Sequence, residues 1–188
     1  MDKVMCRKEC IRRLRSRKFH QNYIHDKLIV NHLSNFIKKS RAKNVMLYIP
    51  LKIEVNICSL IKALRMSRKN VFVPFMEGES FRLVKYKLPL KIKKFNIKEP
   101  TNKNSYYKKI DLAVIPTIAI DSTFRRIGFG KGMYDRFFDQ YQANIENRIF
   151  ISRVDCYQKD VMTDNHDVIG DYYITPKKNI KRDIRCKR

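Results

Sequence analysis

The sequence predicts a single α/β domain of three layers, in which helices flank a largely parallel or mixed sheet. Two observations predict this fold. Segments with strand spacing alternate with segments with helix spacing, and some strands are apolar almost throughout, as expected when both faces of a sheet are covered. The length of 188 residues suits one domain with a proper core. We assign residues 1–176 to that domain and expect the cationic tail, 177–188, to fray.

Hydrophobic spacing places the elements in chain order. The predicted helices cover about 2–18, 22–40, 56–69 and 133–142. The predicted strands cover 44–50, 70–75, 80–86, 110–116, 148–154 and 170–175. In the second helix, the expected buried stripe is Tyr23, Leu28, Ile29, His32, Leu33, Phe36 and Ile37. The basic segment 87–109 is interpreted as a long connection. Ligands of such folds bind beyond the carboxyl ends of the strands, which is where the loop after 110–116 lies.

The net charge of +24 makes nucleic acid a candidate partner. A coding bias towards Lys, Ile and Asn explains the same charge, and the lysines are spread along the chain. We therefore do not expect nucleic acid to be the main partner. Small polyanions, such as nucleotides or polyglutamate chains, fit the charge equally well.

Cysteine usage and hydropathy argue against a disulfide-rich, zinc-binding or membrane-spanning protein. Five cysteines without a CxxC pair argue against a disulfide framework and against a structural zinc site. No apolar run approaches the ~18 to 20 residues of a membrane span, and the charged N-terminus has no apolar stretch behind it. We expect a soluble, cytoplasmic monomer with no membrane partner.

The segment RRIGFGKGMYDRFF, Arg125 to Phe138, contains three glycines at alternate positions. Glycines let the backbone approach a ligand, so that successive N–H groups converge on an anion, and the following helix adds its positive N-terminal end. Arg125, Arg126 and Lys131 bring full positive charges to the same place. The loop is interpreted as a phosphate-binding site.

This glycine loop departs from the common nucleotide-binding loops. A Walker loop requires Ser or Thr after its lysine, where Gly132 stands, and the dinucleotide fingerprint requires a glycine where Met133 stands. A structural turn with surface charges therefore stays open as an alternative. Asp135, at the start of the next helix, either complements the helix dipole or ligates a magnesium ion held between protein and phosphates.

The segment AIDSTFRRIGFGKGMYDRF, 119–137, resembles the signature of the 5-formyltetrahydrofolate cyclo-ligase family. That signature is an Asp and a short spacer followed by R-x-G-x-G-x-G-Y-Y-D, and the chain departs from it at Met133, where Tyr is usual. The resemblance extends over nearly the whole chain. It includes the opening K-x-x-x-R, YIPLKIEVN (48–56), KFNIKEP (94–100) and NHDVIGDYYIT (165–175).

The resemblance implies a set of site residues. Those implied for ATP are Lys3, Arg7, Arg126, Ile127, Gly128, Phe129, Gly130, Lys131, Gly132, Met133 and Tyr134, with Lys131 and Arg126 as catalytic residues. Those implied for the folate substrate are Arg7, Ile49, Glu54, Phe129 and Met133. The implied metal ligands are Asp135 and Asp167, and His166 beside them is an acid–base candidate. Helical spacing puts Lys3 and Arg7 on one face, one turn apart, as a phosphate clamp needs.

The reaction that the resemblance implies is an ATP-driven cyclisation. 5-Formyltetrahydrofolate and Mg-ATP would give 5,10-methenyltetrahydrofolate, ADP and phosphate, by phosphorylation of the formyl oxygen. Such chemistry needs positioning and charge stabilisation more than a nucleophile from the protein. Mg²⁺ is the implied cofactor and ATP the co-substrate. Three other functions stay open: a basic nucleic-acid-binding module, another ATP-using enzyme such as a kinase of a small acid, and an assembly protein whose loop binds an anion.

Overall fold

The structure is a computed structural model that describes residues 2–92, 98–101, 104–106 and 108–183. The described helices are α1 Lys3–Arg15, α2 Phe19–Lys39, α3 Cys58–Met66 and α4 Met133–Tyr141. The described strands are β1 Asn44–Met46, β2 Asn70–Glu77, β3 Ser80–Lys85, β4 Leu90–Ile92, β5 Lys98–Pro100, β6 Ile110–Pro116, β7 Ala119–Ile120, β8 Arg126–Ile127, β9 Ile145–Ile151, β10 Tyr172–Ile174 and β11 Asn179–Lys181.

A seven-stranded sheet of order β11-β10-β9-β6-β1-β2-β3 forms the middle layer. Its central strands run parallel, so that Val45 of β1 lies opposite both Val71 of β2 and Leu112 of β6. β9 is likewise parallel to β6 and β10, while β3 and β11 pair antiparallel at the two edges. The carboxyl ends of β1, β2, β6, β9 and β10 therefore meet at one edge of the sheet, and the predicted fold class is confirmed.

Helices cover both faces of this sheet. On one face, Leu33 of α2 and Leu60 of α3 pack in one apolar cluster with Val114 of β6. On the other face, Phe138 of α4 packs in a second cluster with Ile115 of β6. Neighbouring residues of β6 point to opposite faces, so both faces of this strand are buried and its run of apolar residues is explained.

Helix α1 lies near the carboxyl edge of the sheet rather than on either face. Its buried side chains Cys6, Cys10 and Leu14 pack against a short antiparallel hairpin of β7 and β8, through Ala119 and Ile127. The carboxylate of Asp2 accepts a hydrogen bond from the backbone N–H of Met5 at 2.7 Å and caps the helix. The packing brings the basic residues of α1 to the loop that follows β8.

Helix α2 is rotated relative to the predicted stripe. Ile29, Leu33 and Ile37 are buried as expected, whereas Tyr23 and Leu28 are 59% and 41% exposed. The fourth buried position of the helix is Asp26, whose charge is paired with an arginine beyond β9. That ion pair turns the face with Asp26, Ile29 and Leu33 inwards, and spacing of apolar residues alone does not reveal it.

Two predicted irregular segments contain strands. The connection 87–109 carries the antiparallel hairpin of β4 and β5, and its residues 93–97, 102–103 and 107 lie outside the described residues. The tail was predicted to fray from residue 177, which is wrong for Asn179–Lys181, because these residues pair with β10. A turn held by the Thr175 hydroxyl, which accepts from the N–H of Lys178 at 3.0 Å, brings them back to the sheet. Residues 184–188 lie outside the described residues.

No described helix is both long and apolar enough to cross a bilayer. Among the described cysteines, Cys6, Cys10, Cys58 and Cys156 are free thiols, and Cys186 lies outside the described residues.

Candidate active site

A cleft of about 620 Å³ opens at the carboxyl edge of the sheet. Four parts of the chain form its walls: the segment after β1, the hairpin of β2 and β3, the ends of β6 and β8, and the glycine loop with the start of α4. The residues that line it include Tyr48, Ile49, Glu54, Met76, Glu79, Phe81, Arg126, Phe129, Lys131, Met133 and Tyr134. The predicted phosphate-binding loop and the segment after the first strand therefore face one space.

The glycine loop has a backbone that side chains would disturb at two positions. Gly132 has a φ of +63°, a conformation that favours glycine, and a Cβ there would lie 2.8 Å from the Arg136 guanidinium. A Cβ on Gly128 would lie 2.7 Å from the guanidinium of Arg126. The two glycines thus make room for two arginines that pack directly against the loop.

Arg126 is a buried cation beside the cleft, only 5% exposed. Its guanidinium donates to the carbonyl of Pro116 at 3.2 Å, lies 3.5 Å from the Asp135 carboxylate, and stacks over the Tyr134 ring at 4.7 Å from the centroid. Its Nε has no hydrogen-bond partner within the described ranges. A buried, rigidly held guanidinium of this kind is suited to binding an anionic group.

Arg136 fixes the far end of the loop. Its guanidinium donates to the carbonyl of Lys131 at 2.7 Å and to the carbonyl of Glu79 at 2.9 Å, which joins the glycine loop to the β2–β3 hairpin across the mouth of the cleft. The Lys131 side chain is exposed, and no described carboxylate lies within ion-pair distance of its ammonium. This ammonium is therefore free to meet a phosphate.

Of the two predicted clamp residues of helix α1, Arg7 contacts the glycine loop and Lys3 contacts the acidic residues that follow β9. The Arg7 guanidinium donates to the carbonyl of Gly128 at 2.7 Å. The Lys3 ammonium lies 2.5 Å from Asp167 and 2.9 Å from Asp164. Burial alone would lower the pKa of Lys3, but the hydrogen bonds to Asp167 and Asp164 outweigh it and raise that pKa. Lys3 is thus held as a cation.

The acidic residues near the loop form two groups. Asp135 faces Arg126, and its other oxygen accepts from the N–H of Val168 at 3.4 Å, next to Asp167. Asp167 groups with Asp164 and His166, whose ligand atoms lie within 4.8 Å of one another. The carboxylate oxygens suit Mg²⁺, which prefers oxygen ligands. The Lys3 ammonium bridges both carboxylates of the second group, so a metal ion there would have to displace it.

Sequence reasoning assigned no role to Asp121, which organises the loops beside the site. It is fully buried, and its carboxylate accepts from the N–H groups of Thr123, Met162 and Thr163 at 2.9 to 3.0 Å. It thereby ties the β7–β8 turn to the segment that leads to Asp164. The available signal was Asp-Ser-Thr after a short strand, a pattern typical of a side chain that closes its own turn.

Glu54 is a half-buried carboxylate that lines the same cleft as the glycine loop. One oxygen accepts from the N–H of Leu51 at 2.9 Å, and its own N–H donates back to the Leu51 carbonyl at 3.0 Å. Burial raises the pKa of Glu54 to about 7, against the Leu51 hydrogen bond and the charges of Arg126 and Arg153, which lower it. The carboxyl group therefore titrates near neutral pH.

Comparison with known proteins adds to this geometry. A model of the 5-formyltetrahydrofolate cyclo-ligase family matches residues 1–176. The chain belongs to this family. A 5-formyltetrahydrofolate cyclo-ligase of Haemophilus influenzae is 28% identical over 160 residues, which cover 79% of this chain and 83% of that protein. A probable 5-formyltetrahydrofolate cyclo-ligase of Schizosaccharomyces pombe is 31% identical over 163 residues, which cover 75% of this chain and 78% of that protein.

Two solved structures share the fold of this cyclo-ligase family member. The 5,10-methenyltetrahydrofolate synthetase of Aquifex aeolicus superposes with a TM-score of 0.82 at 24% identity, covering 100% of this chain and 97% of that one. The corresponding synthetase of Mycoplasma pneumoniae gives a TM-score of 0.74 at 23% identity, covering 93% of this chain and 98% of that one. At these identities, the likeness is one of fold.

The cleft of this family member brings together most of the implied site residues. Those that line it are Ile49, Glu54, Arg126, Phe129, Gly130, Lys131, Gly132, Met133 and Tyr134. Arg7 and Lys3 reach the loop and its acidic neighbours from α1 rather than lining the cleft. Ile127 is fully buried against α1, and its carbonyl accepts from the N–H of Ile118, so it does not reach the cleft. In the segment 94–100, Lys98 lines the cleft, and residues 94–97 lie outside the described residues.

The raised pKa of Glu54 predicts how stability depends on pH. The folded protein holds this proton more tightly than the unfolded chain, whose Glu has its ordinary pKa of 4.5. The resulting stability is fully present below about pH 4.5 and is lost as the pH rises through about 7. We expect Glu54→Gln, which stays neutral, to raise the midpoint of thermal unfolding at pH 8.5 by about 3 to 6 °C. The difference should shrink as the pH falls to about 5, and a constant difference would contradict the raised pKa.

Proposed function

We propose that the protein catalyses the ATP-dependent conversion of 5-formyltetrahydrofolate to 5,10-methenyltetrahydrofolate, with release of ADP and phosphate. Besides family membership, one structural observation supports the proposal. A single cleft is lined by a glycine loop with a buried Arg126 and an exposed Lys131, and also by apolar and aromatic side chains and Glu54. Phosphate-binding groups and a surface suited to a heterocycle thus face the same space.

The nucleotide is assigned to the glycine loop. Its phosphates would meet the loop N–H groups, the Lys131 ammonium and the Arg126 guanidinium, while Lys3 and Arg7 approach from α1. Arg7 is anchored to the carbonyl of Gly128, which supports a role in shaping the loop as well as in binding. These cations stabilise the charge that develops as the γ-phosphoryl group leaves ADP.

The folate is assigned to the apolar wall. Ile49, Met76 and Phe81 offer contacts for a flat ring, and Phe129 of the glycine loop adds a partly exposed aromatic ring to the same cleft. A formamide is a poor electrophile and its oxygen a poor leaving group. Phosphorylation of that oxygen solves both problems, and the neighbouring nitrogen then attacks the activated carbon.

Magnesium is the proposed cofactor. Asp167 and Asp135 are its proposed ligands, directly or through water, and Asp164 offers a further carboxylate beside Asp167. When bound, the ion would neutralise charge on the phosphates. Lys3 bridges Asp164 and Asp167, and a metal ion bound there would release its ammonium to bind a phosphate.

We further propose that the protein acts as a monomer in the cytoplasm. The free thiols Cys6, Cys10 and Cys156, buried in one apolar cluster with α1, suit a reducing compartment.

The test is direct. Purified protein is mixed with 5-formyltetrahydrofolate and Mg-ATP, and the absorbance of the methenyl product is followed. We expect product only when ATP is present, in step with release of ADP. ADP without methenyl product would favour a kinase of another small acid. Tight binding of random oligonucleotides that falls steeply with salt, together with no turnover, would favour the nucleic-acid module.

A further inference from the structure

We propose that Glu54 is a catalytic residue that accepts the proton lost by the attacking amine of the substrate when the new ring closes. The inference rests on the proposed function and adds a residue role to it. In the step concerned, the amine nitrogen forms a bond to the activated formyl carbon, and the bond from that carbon to the phosphate oxygen breaks. The N–H proton passes to the Glu54 carboxylate, its bonding pair stays on nitrogen, and phosphate leaves. Charge and atoms balance without any further reactant.

The reaction needs such an acceptor because the amine carries a proton in the substrate and none in the methenyl product. Among the described residues that line the cleft, Glu54 and Glu79 are the carboxylates, and no histidine is present. Glu79 is exposed in the β2–β3 turn at the mouth of the cleft. The Tyr48 hydroxyl already donates to the carbonyl of Val55 at 2.7 Å. Burial raises the pKa of the Tyr134 phenol, which keeps it protonated.

The orientation of Glu54 suits the capture of one proton. The reciprocal hydrogen bonds with Leu51 hold the residue in place and engage one carboxylate oxygen. The other oxygen has no hydrogen-bond partner among the described residues. A carboxylate with both oxygens free can bind the two donors at the edge of an amino-pteridine. With one oxygen held by Leu51, a contact to a single N–H is the better match.

The groups around Glu54 determine the pH at which its carboxylate is ionised and able to accept a proton. The charged and titratable groups facing it come from four parts of the fold: Tyr48 after β1, Arg126 of β8, Tyr134 of α4 and Arg153 after β9. Lys98, Lys131, Arg136 and Glu79 line the same cleft. Burial outweighs the two arginines and leaves the pKa of Glu54 at about 7. A base with a pKa near the working pH combines a useful ionised fraction with real affinity for the proton.

The experiment compares wild type with Glu54→Gln and Glu54→Asp, using saturating Mg-ATP and a range of 5-formyltetrahydrofolate concentrations across pH 5.5 to 8.5. In wild type, kcat/KM for the folate should rise with pH through about 7 and then level off, because this ratio follows ionisation of the free enzyme and only the ionised carboxylate accepts the proton. Glu54→Gln should lower kcat by ~10²- to 10⁴-fold, abolish that rise, and leave KM for the folate nearly unchanged. Glu54→Asp should recover part of kcat. Glu146→Gln, an exposed carboxylate on β9, is the matched control and should behave as wild type.

The outcomes separate the possible roles. A Glu54→Gln enzyme with wild-type kcat and a raised KM for the folate would make Glu54 a substrate-binding residue and overturn the proposal. A wild-type kcat/KM for the folate that is independent of pH around 7 would overturn it without any variant. If wild type forms no methenyl product with ATP, the proposed function itself fails and this inference with it. An active wild type with an unimpaired Glu54→Gln rejects only the role of Glu54.

Discussion

Replacing Lys131 by alanine is expected to lower kcat by about 10²-fold or more. The Lys131 side chain is exposed at the cleft and has no described carboxylate partner, so its charge is available to the phosphoryl group in the transition state. A cation placed in this way typically contributes ~2 to 4 kcal/mol to stabilisation of the transition state. The fold should be unaffected, because only the carbonyl of Lys131 takes part in a described hydrogen bond, with Arg136.

The measurement is steady-state turnover with Mg-ATP and 5-formyltetrahydrofolate, alongside thermal unfolding. Lys62→Ala is the matched control, since Lys62 is an exposed lysine on α3, which covers the sheet face opposite α4. Turnover of Lys131→Ala equal to that of Lys62→Ala would remove Lys131 from the mechanism.

Replacing Asp26 by alanine is expected to lower the free energy of unfolding by about 3 to 5 kcal/mol. Asp26 and Arg153 form a two-pronged ion pair, with Nε to Oδ1 at 2.6 Å and the second nitrogen to Oδ2 at 2.7 Å. Both side chains are largely buried, at 12% and 7% exposure, so the arginine would keep a buried charge without its partner. The same arginine donates to the carbonyl of Lys52, which couples α2 to the segment after β1.

Urea unfolding of the variant and of wild type measures this loss. Glu146→Ala provides the comparison, because it breaks the exposed pair of Glu146 with Lys109 and should cost less than about 1 kcal/mol. Equal losses of unfolding free energy for Asp26→Ala and Glu146→Ala would show that the buried ion pair stabilises the fold no more than the exposed one.

The fold was largely predictable because its signals are local. The continuous apolar run of β6 indicated a strand covered on both faces, and the alternation of strands and helices indicated a parallel sheet, as observed. The elements missed, β4, β5, β7, β8 and β11, are two or three residues long. β4 pairs with β5 and β7 with β8 in separate two-stranded sheets, and β11 adds to the edge of the main sheet. These pairings depend on contacts between segments that local spacing does not reveal.

The site was predictable to a smaller extent. The three glycines pointed to the loop, and the structure places that loop in one cleft with Ile49 and Glu54. The roles of Asp121 and Arg136 were missed, because each side chain binds a backbone group that is distant in sequence. Asp121 binds the N–H of Thr163, and Arg136 binds the carbonyl of Glu79.

The sequence by itself determined the order of elements, the family resemblance and the loop that is suited to phosphate. The tertiary structure alone decided which charges are buried. Asp26 meets Arg153 across 127 residues of chain, and Lys3 meets Asp167 across 164. The pKa of Glu54 rises to about 7 because distant segments close over it and remove water. Desolvation depends on all the groups that surround a side chain in the fold, and the spacing of residues along the chain does not reveal which groups those are.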